Sequence, residues 1–268
     1  MPWFALAALV IYLALASLAC FSRRAAGGTP HPAAEVTLLL LGLLLHGAAL
    51  FNPFVQAEPL HFGASEALSL TAWLALAIYL AGQLVWRLQA PLTMLITLAA
   101  LFLLIALILP GGPVLGYKMT ALARGHLLLA MLAYGMLTNA AAVALLMRLA
   151  DRRLHHPRAN TLLHALPPLL TLEKLLFLCL WLGFSLLTLA LTSGALFAEQ
   201  AWGHSLALNH KTFFSAVAWI AFGSLLAGRS LRGWRGRFAA NWTLTGYALL
   251  LLGYIGTHFV LEVILNRV

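Results

Sequence analysis

The chain has 268 residues, 63% hydrophobic and 9% charged, with a mean hydropathy of +0.95. That composition excludes a soluble enzyme and leaves an all-α polytopic membrane protein. The net charge of +9 does not call for nucleic acid, because basic residues in a membrane chain mark its cytoplasmic loops.

A spanning helix needs roughly 20 apolar residues, and eight stretches are candidates: 2–22, 35–51, 65–86, 92–110, 125–149, 172–196, 212–229 and 240–265. The first lacks a basic leader, and Arg23 and Arg24 follow it, so it reads as a permanent helix rather than a secretion signal. Placing the N-terminus outside puts twelve of the sixteen basic residues on the cytoplasmic side: Arg23, Arg24, Arg87, Arg148, Arg152, Arg153, Arg158, Lys174, Arg229, Arg232, Arg235 and Arg237. Lys118, Arg124, Lys211 and Arg267 remain outside. The expected topology is therefore eight transmembrane helices, N-out and C-out.

Between the second and third spans, Pro53 and Pro59 interrupt helix in an aromatic, partly re-entrant outer segment. Between the fourth and fifth, the run PGGPVLGYKMTALARGH forms a turn-rich outer cap. The long inner loop 150–170 is basic and ends in Pro167-Pro168, after which Thr171 reads as an N-cap and Glu173 as a first-turn acid. Residues 197–219 form a polar ledge with Glu199, Trp202, His204, His210 and Lys211, between the sixth and seventh spans. Arginines and Trp234 mark the last inner loop as interfacial.

On this topology His46, His61, His126, His204, His210 and His258 collect at outer depth. Ionisable groups within a membrane are expensive and are functional candidates. Zinc would want three or four closely spaced ligands. No HxxxH, HExxH or DxxxD occurs on a span, and Cys20 and Cys179 form no CxxC. Haem asks for less: one or two imidazoles, an apolar pocket and cations for its propionates. His126 and His210 each open a helix running inward, so the helices are parallel and the rings can share one depth. Arg124 and Lys211 sit beside them as candidate propionate partners, and Trp202 offers a ring surface. The alternatives are interfacial anchoring for these histidines and Trp202, and a helix-packing hydrogen bond for His258.

Two stretches carry a family likeness. GHLLLAMLAYGMLTNAAAVALLM (125–147) resembles the helix that opens on an external histidine in the cytochrome c assembly superfamily, the group of CcmC- and CcsA-type haem-handling membrane proteins. Residues 193–236 resemble that family's tryptophan-rich segment, its Asp-Pro-Lys-Glu turn and the following helix. LPPLLTLEKLLF and NHKT look closest to the YpjD-like branch. Here the tryptophan-rich motif is reduced to Trp202-Gly203, and the turn reads Asn209-His210-Lys211-Thr212. His126 falls on the family's first external haem histidine. The family's other histidines would fall near Ala227 and Leu265, and His258 lies about two turns before the latter.

The resemblance implies an N-terminal four-helix half, 1–124, and a C-terminal half, 125–268, of the assembly type. It implies a non-enzymatic protein of the bacterial inner membrane that binds haem b at the periplasmic face and assists cytochrome c assembly or haem handling. His126 and His210 are the expected axial ligands, with His258, Arg124, Lys211 and Trp202 around the cofactor. Expected partners are the bilayer, haem, and apocytochrome c or another assembly protein. The rival expectation is a non-haem accessory subunit of another inner-membrane system, such as divalent-cation transport.

Overall fold

The computed structural model describes residues 2–22, 32–51, 62–86, 92–109, 121–154, 168–202 and 210–253. Among them are eight helices: α1 (Pro2–Ser22), α2 (Pro32–Phe51), α3 (Ala64–Trp86), α4 (Leu92–Ile108), α5 (Ala121–Leu154), α6 (Leu169–Trp202), α7 (His210–Arg232) and α8 (Gly236–Leu251). Five of the eight are long and apolar enough to cross a membrane, α2, α3, α5, α6 and α7, while α1 and α4 contain shorter apolar helices. Large hydrophobic side chains face outward, among them Val10 (65% exposed), Leu44 (70%) and Ile108 (75%). A surface of that kind is stable against hydrocarbon, not water.

The helices exceed several of the apolar runs. α5 reaches about one turn beyond 125–149 at each end, and α6 runs on through Trp202, so the polar ledge begins as helix. Helix continues there because a backbone leaving hydrocarbon keeps its hydrogen bonds most cheaply within the helix. Residues 203–209 and the expected end of the last span lie outside the described residues.

Packing follows two rings joined by one helix. In the first, α1 packs on α2 and α4, and α3 packs on α2 and α4. In the second, α6 packs on α5 and α7, and α8 packs on α5 and α7. α5 also meets α3 and α4, and so forms the wall between the rings. Its sequence explains this position. The run Ala140-Ala141-Ala142-Val143-Ala144 is fully buried, since small side chains let neighbouring backbones approach where no hydrophobic effect drives association. At Gly135 an added Cβ would lie 3.0 Å from Leu74 Cβ, and at Gly183 it would lie 2.7 Å from Leu137 Cδ2. Asn139 joins α5 to α3, its Nδ2 donating to Ala75 O (3.0 Å) and to Gly135 O (2.9 Å).

Polar groups elsewhere also staple helices. Thr138 Oγ1 donates to Tyr134 O (2.8 Å) and therefore accepts from Tyr247 OH at 2.6 Å. Tyr134 OH donates to Leu250 O (2.9 Å), where α8 widens into π-type turns at Leu252 and Gly253. In the first ring His46 is fully buried, with Nε2 2.9 Å from Ser69 Oγ and Nδ1 3.4 Å from Tyr12 OH. Glu66 caps its own helix, accepting from the Gly63 N–H at 2.9 Å.

The start of α6 departs from expectation. Thr171 lies inside the first turn, its N–H bonded to Pro168 O at 2.9 Å, so it is not the N-cap. The proline cannot donate but supplies a well-placed carbonyl, which lets the helix begin at Leu169. Glu173 reaches across to α7 and α8 within the second ring instead of serving its own helix end. Its Oε1 accepts from Arg229 Nη1 at 2.8 Å and its Oε2 from the Gly236 N–H at 3.2 Å, the first residue of α8. A carboxylate there meets the positive end of the helix dipole.

The turn between α7 and α8 is only Gly233 to Arg235. Gly233 (φ 69°) takes the left-handed conformation and donates to Arg229 O, the bond of an αL cap, while Trp234 donates to Gly228 O.

Candidate functional site

His126 sits one turn into α5, at the end of the second ring where α6 finishes and α7 starts. Its Nδ1 lies 3.0 Å from Ala190 O and 3.2 Å from Ser193 Oγ on α6. A carbonyl oxygen only accepts, so Nδ1 carries the proton and Nε2 carries the ring's lone pair. Ser193 Oγ also donates to Ala190 O, at 3.1 Å, so one backbone carbonyl fixes both side chains. The ring lies over Gly194, where an added Cβ would come to 2.9 Å from Cε1 and 3.3 Å from Nδ1. A glycine is required on this face because the imidazole occupies the space of a side chain.

Lys211, in the first turn of α7, lies within electrostatic reach of His126 and is the cation that the fold brings to the ring. α8 closes the same end. At Gly253 an added Cβ would stand 2.9 Å from Phe214 Cβ and 3.5 Å from Lys211 O, so α8 and α7 nearly touch backbone to backbone. The Ser-Gly pair on α6 was the missed element of the site. Its only sequence signal is two small residues near the end of a long apolar helix.

The other expected site residues divide as follows. His210 is the first residue of α7 and its side chain is exposed. α5 and α7 stand at opposite corners of the second ring, each packed on α6 and α8. Successive helical residues point about 100° apart, so the exposed His210 and the partly buried Lys211 look in different directions from the first turn of α7. Arg124 is exposed on α5, half a turn before His126. Trp202 is the last residue of α6, and its side chain lies outside what is described. His258 lies outside the described residues, as does His204. His46 belongs to the first ring and takes no part in this end.

Among the described residues no group of three or more histidines, cysteines or carboxylates could hold a bare metal ion. The donor set does fit haem. It contains an imidazole whose Nδ1–H is bound to a backbone carbonyl, the usual arrangement by which a ligating histidine is oriented. It also contains cations at the same helix ends, suited to carboxylates.

The sequence profile described as Cytochrome C assembly protein matches residues 37–265. An uncharacterized 28.8 kDa protein of Azospirillum brasilense is 30% identical over 210 residues, which cover 77% of this chain and 78% of that one. The cytochrome c biogenesis protein CcsA of Gloeobacter violaceus is 33% identical over 92 residues, 34% of this chain and 27% of that protein. The CcsA of Prochlorococcus marinus (strain MIT 9215) is 35% identical over 89 residues, 33% of this chain and 29% of that protein. The chain thus matches less than a third of the length of these CcsA proteins, whereas it matches most of the Azospirillum protein.

Proposed function

The chain belongs to the cytochrome c assembly protein family, and we propose that it is a haem-binding member that assists cytochrome c assembly or haem handling. It is a multi-pass membrane protein. In our reading it lies in the bacterial inner membrane, spans it eight times with both termini outside, and holds haem b at the periplasmic end of the second ring. The domain division follows the rings, with residues 1–124 as the supporting half and 125–268 as the haem-handling half.

The observation that carries the reading is the protonated Nδ1 of His126 on Ala190 O, which leaves the Nε2 lone pair as the one that would meet a haem iron. Haem, when bound, supplies an iron that takes imidazole nitrogen and two propionates that take cations. This chain's residues would hold it through His126, with His210 or His258 as second ligand. Lys211 and Arg124 would face the propionates, and Trp202 would offer a ring surface. Binding asks no covalent step of the chain, and the reduced thiols of an apocytochrome would come from a partner.

The test is an absorption spectrum of protein purified from haem-replete cells. A Soret band is expected, lost in His126→Ala and weakened in Lys211→Ala. A colourless wild-type protein sinks the proposal and favours the non-haem accessory role. A band that survives the His126→Ala, His210→Ala double substitution moves the ligands elsewhere.

A further inference from the structure

Away from His126, a cavity of about 280 Å³ opens between α3, α5 and α6, where the two rings meet. That is near the lower end of the roughly 300–1,000 Å³ usual for small-molecule sites. Its walls are almost wholly apolar and include Ile78, Gly82, Val143 and Cys179. None of the histidines lines it.

Asn139 also lines this cavity, and it is only 5% exposed. Both of its N–H bonds are committed, one to Ala75 O on α3 and one to Gly135 O on its own helix. Because two carbonyls require two donors, the amide cannot be turned over, and Oδ1 is fixed as the remaining acceptor. Oδ1 receives no hydrogen bond from the protein. Yet no sealed side-chain oxygen or nitrogen is left unsatisfied among the described residues. Oδ1 is therefore not sealed, and Asn139 lines the cavity. An amide oxygen without a partner in apolar surroundings is costly.

We propose that the cavity between α3, α5 and α6 binds a lipid-soluble molecule carrying a hydroxyl, with the O–H donating to Asn139 Oδ1 and the hydrocarbon or ring body filling the apolar walls. The walls select an apolar body, and the surrounding hydrocarbon supplies such molecules by lateral diffusion. Asn139 Oδ1 favours a donor over a plain hydrocarbon of the same shape, and Tyr79 and Gln83 are the other polar side chains of the lining. Gly82 leaves room in the wall, since an added Cβ there meets nothing within 4 Å. The proposal is independent of haem and stands or falls apart from it.

The test uses the full chain in phosphatidylcholine nanodiscs and a pair of probes of nearly one shape, 1-naphthol and naphthalene. Saturable binding is measured after subtracting partition into protein-free discs. 1-Naphthol is expected to bind about tenfold more tightly than naphthalene, the effect of one hydrogen bond in apolar surroundings. Asn139→Leu should bring the two probes to within about twofold of each other, since the acceptor is lost, together with the bonds to Ala75 O and Gly135 O. Gly82→Phe should abolish saturable binding of both by filling the cavity. Equal binding of the two probes by the wild type, absence of saturable binding, or a preference that persists in Asn139→Leu would each overturn the proposal. Should Asn139→Leu fail to fold, as judged by circular dichroism and gel filtration, Gly82→Phe decides. Saturable 1-naphthol binding that survives in that variant overturns the proposal, and its loss supports it.

Discussion

His126 on α5 donates its Nδ1–H to the carbonyl of Ala190 on α6, across 3.0 Å and 64 positions of sequence. This bond selects one tautomer, holds the ring over Gly194, and decides which nitrogen can meet a ligand. The arrangement makes Gly194 as consequential as the histidine. Gly194→Leu is expected to displace the imidazole, because even a Cβ would stand 2.9 Å from Cε1. Overpacking of this kind costs about 1–3 kcal/mol. The check is the Soret absorbance per mole of purified protein, which should fall as far as in His126→Ala while the far-ultraviolet circular dichroism is kept. His46→Leu, in the other ring, should lower stability and leave the band in place. Loss of the band in that control would show that the readout follows stability and not the site.

At the opposite end Glu173 holds two helices at once. It accepts from Arg229 at 2.8 Å and from the Gly236 N–H at 3.2 Å, and the guanidinium lies 3.7 Å over the Phe177 ring. Breaking a fully buried ion pair costs about 3–5 kcal/mol, and the 34% exposure of Arg229 lowers the expectation to about 1–3 kcal/mol. Glu173→Ala should cost more than Arg229→Met, since it also strips an acceptor from the first N–H of α8. Denaturation in mixed micelles, arranged as a double-mutant cycle, measures this. An equal cost for the two single variants would remove the Gly236 bond from the account.

The Tyr247, Thr138 and Tyr134 chain makes a smaller prediction. Hydrogen bonds between transmembrane helices average about 0.6 kcal/mol and reach about 1.7. The Thr138→Val, Tyr247→Phe cycle should show coupling in that range, given their 2.6 Å contact. Tyr134→Phe should cost about the same amount, with its effect read as faster amide exchange around Leu250, whose carbonyl it serves. Coupling near zero would assign this polar chain to packing alone.

Orientation is testable at two exposed positions. In a background lacking Cys20 and Cys179, His210→Cys should react with a membrane-impermeant maleimide in intact cells, and Arg232→Cys only after the membrane is opened. Both side chains are exposed and they lie at opposite ends of α7. The reverse pattern would invert the topology.

Much of this architecture is legible in the chain itself. The apolar run lengths give the helices, because a backbone in hydrocarbon has no partner but itself. The tryptophan, histidine and lysine-bearing stretch after 193 and the histidine-led helix at 125 carry the family likeness, which the profile match over 37–265 bears out. Sequence could also put Lys211 and His126 at one depth, since both lie in the opening turns of parallel helices. It could not say that Lys211 is partly buried and His210 exposed, because that choice depends on the rotation of α7 against α6 and α8. Nor could it foresee Ser193 and Gly194, or Glu173 crossing to Gly236, or the open acceptor on Asn139. Composition and periodicity report what each residue gains from hydrocarbon or water. Which hydrogen-bonding atoms meet is set by how helices close over one another, and only the packed structure decides that.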